Sequence, residues 1–237
     1  MATPPAPDSL INKEKGLAYW ESTDGDVNGM LGGIPGVGGF GSVTRVDLQG
    51  SRTFLARLGM GTKNGRHGIS SALEGGAGIG RVTEGFLLRL AEHVDVVEPI
   101  AKFTSKLQSK PGVRNVYNVG LEEWQPTEGI TYDLVWLQWC VGHLTDDQLV
   151  RFLQRAKTAL TPGSGIIVVK ENLSTSDEDL FDEEDSSVTR QDESFGRIFE
   201  KAGCKVIKTE LQRGLPEIPP KRLFPVKMYA LQPAEWS

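Results

Sequence analysis

Two patterns of apolar residues alternate along most of this 237-residue chain. Short apolar runs, such as residues 69–73 and 134–137, are typical of buried strands, and stretches with one apolar face, such as residues 146–160, are typical of amphipathic helices. From about Gly68 onward, their alternation favours an α/β fold in which helices cover both faces of a sheet. We therefore predict a doubly wound, mostly parallel sheet of seven strands. The predicted strands are residues 69–73, 94–98, 113–119, 132–136, 166–169, 206–209 and 226–231, and the predicted helices include residues 100–107, 146–160 and 194–202 and a stretch that ends near Leu90.

The first 60 residues lack this alternation. Residues 1–9 are rich in Pro and Ala, and we expect them to be flexible. Residues 10–60 form an extension in which residues 29–41 are too rich in glycine for a regular helix, and the apolar side chains among those glycines favour a lid over a site. Residues 61–237 complete the α/β domain, which we expect to be a single globular unit with the extension. Helices in the extension are predicted at residues 17–22 and 43–58.

Composition narrows the possible classes of protein. An apolar content of 38% is ordinary for a folded chain, and no apolar run approaches the roughly 20 residues that cross a bilayer. The two cysteines, Cys140 and Cys204, lie in different segments, which argues against a disulfide framework and against a zinc site. The N-terminus does not resemble a signal peptide, so we expect an intracellular, cytoplasmic protein, with the nucleus open as a second location.

Negative charge is concentrated in one segment. Residues 177–185 contain seven acids, and because the whole chain carries a net charge of −5, the remainder carries +2. A net negative chain is not expected to have nucleic acid as its main partner. Such acidic runs are usually solvated. Asp182 and Asp185, however, come soon after the fifth strand, where a carboxylate pair would attract a cationic peptide.

A glycine-rich turn at residues 74–81 has the pattern E-x-G-x-G-x-G followed by Arg81. Glycines let the backbone approach a ligand closely, and a helix N-terminus favours negative charge. About twenty residues later, Glu98 ends a predicted strand, where an acid in nucleotide-type sites holds ribose hydroxyls. The triphosphate-binding pattern G-x-x-x-x-G-K-[ST] is missing, so the turn indicates an adenosyl ligand, with S-adenosylmethionine favoured and NAD as the rival. The turn alone is equally compatible with a tight loop.

Four segments, the glycine turn among them, together carry a more specific resemblance. They are Tyr19-Trp20 with the Gly29–Gly33 segment, the glycine turn, a W-x-Q-W-x-x-G-H-L string at residues 136–144, and K-E-N at residues 170–172 with D-S-S-V-x-R at residues 185–190. Over about residues 16–231 the chain resembles the protein α-N-terminal methyltransferases that modify Xaa-Pro-Lys N-termini, especially fungal members that methylate ribosomal proteins. The resemblance implies a seven-stranded, Rossmann-like methyltransferase fold with the N-terminal helical and lid extension, S-adenosylmethionine as cofactor and S-adenosylhomocysteine as product.

The resemblance also implies roles for individual residues. It pairs Arg81 with the methionine carboxylate and Glu98 with the ribose. Phe224 stands where some relatives have a tyrosine, so it cannot donate a hydrogen bond to the peptide; Glu98 and Glu171 stand where some have Asp. The residues implied for the cofactor are Gly76, Gly78, Arg81, Glu98, Pro99, Leu121, Glu122 and Gln138. Those implied for the substrate are Tyr19, Trp20, Leu31, Trp139, Glu171, Asp182, Ser187, Leu223 and Phe224, and those implied for catalysis are Asp185, His143 and Asn172.

The chemistry of the residues is consistent with amine methylation. A free α-amino group has a pKa near 8 and is largely protonated at pH 7, so its methylation needs a proton acceptor and a means of orienting the amine. His143 and Asp185 are the candidates, although a histidine there could instead cap the next helix. Asn172 could bind the first peptide group or tie down a loop. Trp20 and Trp139 could pack in the core, but their positions favour a channel wall that holds a proline ring or a cation.

We therefore expect an S-adenosylmethionine-dependent enzyme that adds one, two or three methyl groups to the α-amine of proteins exposing Xaa-Pro-Lys after removal of the initiator Met. Ribosomal proteins are the expected partners, and the enzyme is expected to be a monomer with no metal and no membrane partner. A small-molecule amine N-methyltransferase on the same scaffold is the alternative, and a cofactor-binding scaffold without turnover is a third hypothesis. Lys170 could be a catalytic amine, but nothing else supports covalent chemistry. His67 and His93 are expected at the surface.

Overall fold

The computed structural model describes residues 5–38, 40–62, 68–217 and 223–236 and contains one large sheet. The strands are β1 (Ile69–Gly75), β2 (Ala91–Val97), β3 (Val113–Tyr117), β4 (Leu134–Gln138), β5 (Ile166–Asn172), β6 (Leu180–Asp182), β7 (Ser187–Thr189), β8 (Cys204–Leu211) and β9 (Val226–Pro233). Seven of them form the sheet in the order β3-β2-β1-β4-β5-β9-β8. β1 to β5 are parallel, and β9 is antiparallel to both of its neighbours. The predicted seven-stranded α/β fold is confirmed, with its crevice between the carboxyl ends of β1 and β4, where the strand order reverses.

Several strands continue past the ends predicted from apolar runs. β4 was predicted to end at residue 136 and β5 at residue 169, but the parallel ladder continues until Gln138 pairs with Lys170. Backbone hydrogen bonding, unlike the apolar pattern, does not stop at a polar side chain. This extension holds Gln138, Lys170 and Asn172 on regular strands at the carboxyl edge of the sheet, so their directions are fixed by the strands.

Most helices agree with the predicted positions and differ in length, and Val27–Met30 is a short helix that was not predicted. They are α1 (Lys13–Ser22), α2 (Val27–Met30), α3 (Val43–Ala56), a π-helical turn (Thr83–Leu87) that leads into α4 (Leu88–Leu90), α5 (Ala101–Thr104), α6 (Asp146–Thr158) and α7 (Asp192–Lys201). Thr145 caps α6, in a capping box with Gln148. α5 is shorter than the predicted helix at residues 100–107, which continues only as turns. Short 3₁₀ turns occur at Pro7–Leu10, Ile34–Gly36 and Val141–His143.

The acidic run is not a simple solvated loop. Its end forms a small antiparallel hairpin in which β6 pairs with β7, Asp182 opposite Ser187. Charge composition gave no signal for a strand there, because Asp and Glu are depleted in strands. The hairpin places Asp185 in its connecting turn, directly before Ser186.

Apolar side chains form a core on each face of the sheet. One core contains α6 and α7 residues such as Phe152 and Phe195, and the other contains α3 residues such as Phe54 with Phe86 of the π-helical turn. The segment expected to be flexible, residues 1–9, overlaps the turn Pro7–Leu10, where Asp8 accepts a hydrogen bond from the Asp146 N–H. No helix in the described parts of the chain is long and apolar enough to cross a membrane. His93 is exposed as predicted, and His67 lies outside the described residues.

Candidate active site

A cavity of about 160 Å³ lies at the carboxyl ends of β1, β2 and β4. The glycine turn forms its floor, and α1 covers it with side chains that include Lys13 and Trp20. It occupies the crevice where the strand order of the sheet reverses. Every residue implied for the cofactor lines the cavity: Gly76, Gly78, Arg81, Glu98, Pro99, Leu121, Glu122 and Gln138.

The glycine turn is shaped by close contacts. Gly76 has a φ of 65°, and a Cβ added there would lie 2.3 Å from the Cβ of Cys140, so a side chain cannot be accommodated. The N–H of Gly78 donates to one carboxylate oxygen of Glu98 over 2.8 Å, and the N–H of Ile100 donates to the other over 2.9 Å. Burial raises the pKa of Glu98, and these two hydrogen bonds oppose the rise. Glu98 is therefore held rigidly at the cavity wall.

Arg81 is held by an acid that the sequence reasoning missed. Its guanidinium donates to Asp47 of α3 over 2.7 Å and lies 5.2 Å from the centre of the Trp139 ring. Asp47 is fully buried and also accepts hydrogen bonds from Gln138 and Lys170. The available signal was periodicity, because Asp47 falls on the apolar face of α3 among Val43, Leu48, Ser51, Phe54 and Leu55.

A second cavity, of about 490 Å³, lies beside the first. The predicted substrate and catalytic residues all line it: Tyr19, Trp20, Leu31, Trp139, His143, Glu171, Asn172, Asp182, Asp185, Ser187, Leu223 and Phe224. Trp20, Met30, Trp139 and His143 line both cavities, so a ligand in one meets a ligand in the other across these four side chains.

His143 and Asp185 lie at this junction. The indole N–H of Trp20 donates to Nε2 of His143 over 3.0 Å, and the same Nε2 is 4.0 Å from a carboxylate oxygen of Asp185. Burial lowers the pKa of His143, opposed by Asp185 and by a hydrogen bond with the Ser186 backbone. The imidazole is therefore neutral near pH 7, with its Nε2 lone pair engaged by Trp20. The other carboxylate oxygen of Asp185, Oδ1, is buried and has no hydrogen-bond partner within the described part of the chain.

Backbone strain is concentrated at the same junction. Among the described residues, Trp139 (φ 52°) and Ser186 (φ 58°) are the non-glycine positions with positive φ. Glu171 holds the chain after Trp139 by accepting hydrogen bonds from the N–H groups of Cys140 and Val141 over 2.8 and 3.1 Å. Burial raises the pKa of Glu171 to about 7, opposed by these hydrogen bonds. Strained positions persist where surrounding structure fixes them, and they are concentrated at functional sites.

Part of the glycine-rich segment that was expected to form a lid lies against the two cavities. Leu31, Phe40 and Val43 form a small apolar cluster, against which Trp139 and Leu223 pack. Met30 reaches the glycine turn, since a Cβ on Gly78 would meet its sulfur at 2.7 Å. The described residues contain no group of three or more side chains that could together hold a metal ion.

The first cavity fits the cofactor that the resemblance implies. Arg81 provides a cation for a carboxylate, and Glu98 provides acceptor lone pairs for hydroxyl groups. The glycine turn leaves space where side chains would protrude. The residues that would hold S-adenosylmethionine are therefore the eight already named, with Trp139 and His143 at the end that faces the second cavity.

Known proteins match the chain along nearly its whole length. A family model described as AdoMet dependent proline di-methyltransferase matches residues 8–232. An "Alpha N-terminal protein methyltransferase 1" from Schizosaccharomyces pombe is 46% identical, covering 92% of this chain and 94% of the relative. An "N-terminal Xaa-Pro-Lys N-methyltransferase 1-A" from Xenopus laevis is 39% identical, covering 86% and 89%.

Solved structures agree with these matches. A SAM-dependent methyltransferase from Leishmania major superposes with a TM-score of 0.78 at 38% identity, covering 93% of this chain and 82% of that one. A glycopeptide N-methyltransferase complexed with S-adenosylmethionine has a TM-score of 0.56 at 17% identity, which supports the fold alone.

Proposed function

Because the chain belongs to the family of AdoMet-dependent proline di-methyltransferases, we propose that it methylates the α-amino nitrogen of proteins that begin with Xaa-Pro-Lys. S-adenosylmethionine is the cofactor, and it supplies a methyl group bonded to a sulfonium centre. The observation that carries the choice of acceptor is the junction of the two cavities, where the carboxylate of Asp185 has a buried oxygen without a partner. An ammonium group that enters from the second cavity is the ligand that this oxygen lacks.

Asp185 is the proposed proton acceptor. An α-ammonium group must lose a proton before its nitrogen can be methylated. Oδ1 of Asp185 is free to take that proton, whereas Nε2 of His143 already accepts the indole N–H of Trp20. His143 orients Trp20, and its Nε2 lies 4.0 Å from the other oxygen of Asp185, so its part in the proposal is to position the groups around the amine.

The rest of the second cavity is suited to the residues after the amine. Trp139 and Trp20 offer flat apolar faces to the proline ring. Asn172, at the end of β5, presents an amide that can bind the first peptide group. Asp182 and Glu184 add carboxylates at the exposed side of the cavity, where a lysine side chain would extend.

Several finer points are parts of the proposal. A primary amine could be methylated three times and an N-terminal proline twice, since valence sets the limit. Ribosomal proteins as substrates follow from the resemblance to fungal members. That the enzyme is a monomer stays a prediction. That it is located in the cytoplasm, with the nucleus as a second location, also stays a prediction. The alternative of a small-molecule amine N-methyltransferase is not favoured, because relatives carrying protein N-terminal methyltransferase names match along most of the chain.

The direct test uses labelled S-adenosylmethionine and a Ser-Pro-Lys peptide. We expect label on the peptide α-amine by mass spectrometry, less on a Ser-Pro-Gln peptide, and none on a peptide whose N-terminus is acetylated. Label on the lysine side chain, or on metabolite amines and not on the peptide, would contradict the proposal.

A further inference from the structure

Three charged side chains meet beneath the cofactor cavity. Asp47, from α3 of the extension, accepts hydrogen bonds from Arg81 over 2.7 Å and Gln138 over 2.8 Å, and pairs with Lys170 over 2.5 Å. Asp47 and Lys170 are fully buried, and the side chain of Arg81 is only 9% exposed. Burying charges is costly unless they are paired and hydrogen-bonded. The burial of these three charges therefore points to a role in addition to packing.

Lys170 donates as an ammonium group in this arrangement: burial lowers the pKa of its amine, and the Asp47 carboxylate opposes that fall. In addition to the Asp47 carboxylate, its amine contacts three hydrogen-bond acceptors: the Asp47 backbone carbonyl at 3.0 Å, Ser51 Oγ at 3.0 Å and Gln212 Oε1 at 2.9 Å. Ser51 Oγ donates its own proton to the same carbonyl. Three donors facing acceptors define an ammonium group. The possible role of Lys170 as a catalytic amine is wrong, because its amine is enclosed and lines neither cavity.

The cluster of Asp47, Lys170 and Arg81 has a net charge of +1. Asp47 carries −1, and Lys170 and Arg81 carry +1 each. Burial raises the pKa of Asp47, but Lys170 and Arg81 together outweigh it and lower that pKa, so Asp47 stays ionised. If Lys170 were neutral or missing, Asp47 would cancel the charge of Arg81. With Lys170 present, the excess positive charge is available at Arg81, which lines the cofactor cavity.

We propose that the Asp47–Lys170 pair positions and charges the part of the site that receives the methionine end of the cofactor. Asp47 fixes the directions of Arg81 and Gln138, and Lys170 offsets the charge of Asp47 so that Arg81 presents a positive charge to a carboxylate. Asp47 and Lys170 are positioning residues, since neither lines the cavity. The N-terminal extension thereby contributes to cofactor affinity through a residue beneath the site, in addition to the helix that covers it.

The test compares two ligands that share the adenosyl group. S-adenosylhomocysteine has the amino-acid end and 5′-methylthioadenosine lacks it, so the ratio of their affinities isolates that end. In Lys170→Met, calorimetry should show S-adenosylhomocysteine binding weakened by about 10- to 100-fold, the range for one charge-assisted interaction. Binding of 5′-methylthioadenosine should change by less than about threefold, because its contacts are not altered.

Two further variants separate charge from structure. The double variant Asp47→Asn/Lys170→Met restores the net charge of +1, and it should bind S-adenosylhomocysteine more tightly than Lys170→Met alone. Asp95→Asn is the matched control: Asp95 is another fully buried acid, bonded to Arg114, and it does not line the cavity. It should lower stability without changing the ratio of the two affinities.

Equal losses for both ligands, or a double variant no better than Lys170→Met, would overturn the proposal. If Lys170→Met does not fold, Lys170→Gln, which removes the charge and keeps a polar side chain, decides: selective loss of S-adenosylhomocysteine binding supports the proposal, and equal loss of both ligands overturns it. The inference rests on the cofactor site. Because these assays contain no peptide, they can fail or succeed independently of the proposed methyl acceptor.

Discussion

The two cavities are adjacent but differ in how their charged groups are paired. Around the cofactor cavity, Glu98 accepts two backbone N–H groups, Glu74 accepts the hydroxyl of Thr83, and Arg81 is paired with Asp47. Around the peptide cavity, Oδ1 of Asp185 has no partner in the described residues, and Asp182 accepts only a local hydrogen bond from the N–H of Glu184. The polar groups of the first cavity are oriented by partners within the protein, whereas in the second cavity Oδ1 of Asp185 has no partner among the described residues and suits a cationic ligand.

This difference assigns separate tasks to the two cavities. Groups that are already oriented by the protein bind a ligand without reorganisation, which suits a cofactor common to every turnover. Unpaired carboxylates instead favour a ligand that brings positive charge, which suits selection among N-termini. The strained residues Trp139 and Ser186 lie at the boundary, where the two ligands have to meet.

The largest effect that tests this separation of tasks is expected from removing the charge of Asp185. In Asp185→Asn the acceptor for the amine proton is lost, and kcat should fall by roughly 10²- to 10⁴-fold, the usual effect of losing acid–base assistance. The affinity for S-adenosylhomocysteine should stay near that of the wild type, because Asp185 does not line the cofactor cavity. Single-turnover kinetics and calorimetry measure the two quantities.

Arg81→Ala is the matched control, and it should show the reverse pattern. Cofactor binding should weaken first, and much of the rate should return at saturating S-adenosylmethionine. If both variants keep wild-type rates and wild-type cofactor affinity, the separation of tasks between the cavities is wrong.

The residues implied for the cofactor line one cavity for a physical reason. The glycine turn and Glu98 lie at the ends of strands that apolar runs define, and strand topology brings such ends together. Trp20, Trp139 and His143 meet as the resemblance implied, although apolar periodicity alone would have left the two tryptophans as core residues.

What the sequence could not predict depends on tertiary contacts. Asp47 bonds Arg81 and Gln138, which are 34 and 91 positions away along the chain, and no local pattern encodes that meeting. The β6–β7 hairpin was missed because acidic residues form a strand there only against the surrounding fold. The unpaired oxygen of Asp185 follows from that hairpin, so it too was visible only in the structure.

A smaller effect is expected in the pH dependence of the free energy of unfolding, which tests how the buried acid Glu74 beside the cofactor cavity is held. Burial raises the pKa of Glu74 to about 8, opposed by the hydroxyl of Thr83. The folded protein therefore keeps a proton that the unfolded chain releases above about pH 4.5. Stability should fall as pH rises from about 4.5 to about 8, by about 1.4 kcal/mol per pH unit at most for this group and a few kcal/mol in total.

Glu74→Gln cannot titrate and should lose less stability over that interval. Urea unfolding at pH 5 and pH 8 measures the difference, with Glu92→Gln, an exposed acid of β2, as the control that keeps the wild-type slope. Glu171, whose pKa burial raises to about 7, contributes a slope of the same sign in both variants. Identical slopes for Glu74→Gln and the wild type would show that Glu74 is ionised in the folded state.

The smallest expected effect concerns the exposed side of the peptide cavity. Asp182 lines that cavity but is exposed, so its attraction for a lysine side chain is screened by water and salt. Asp182→Asn should raise KM for a Ser-Pro-Lys peptide by no more than about fivefold, the range for one exposed ion pair, and leave kcat nearly unchanged.

Two measurements decide whether Asp182 acts by pairing with the lysine side chain of the peptide: the dependence of KM on ionic strength, and a control variant of a second acid. The effect of Asp182→Asn on KM should shrink as ionic strength rises, and it should vanish with a Ser-Pro-Gln peptide. Glu178→Gln changes the net charge equally from the same acidic run, but Glu178 lines neither cavity, so KM should not respond. Equal responses in the two variants would mean that the acidic run attracts peptides by its summed charge, and that selection for lysine depends on the enclosed residues alone.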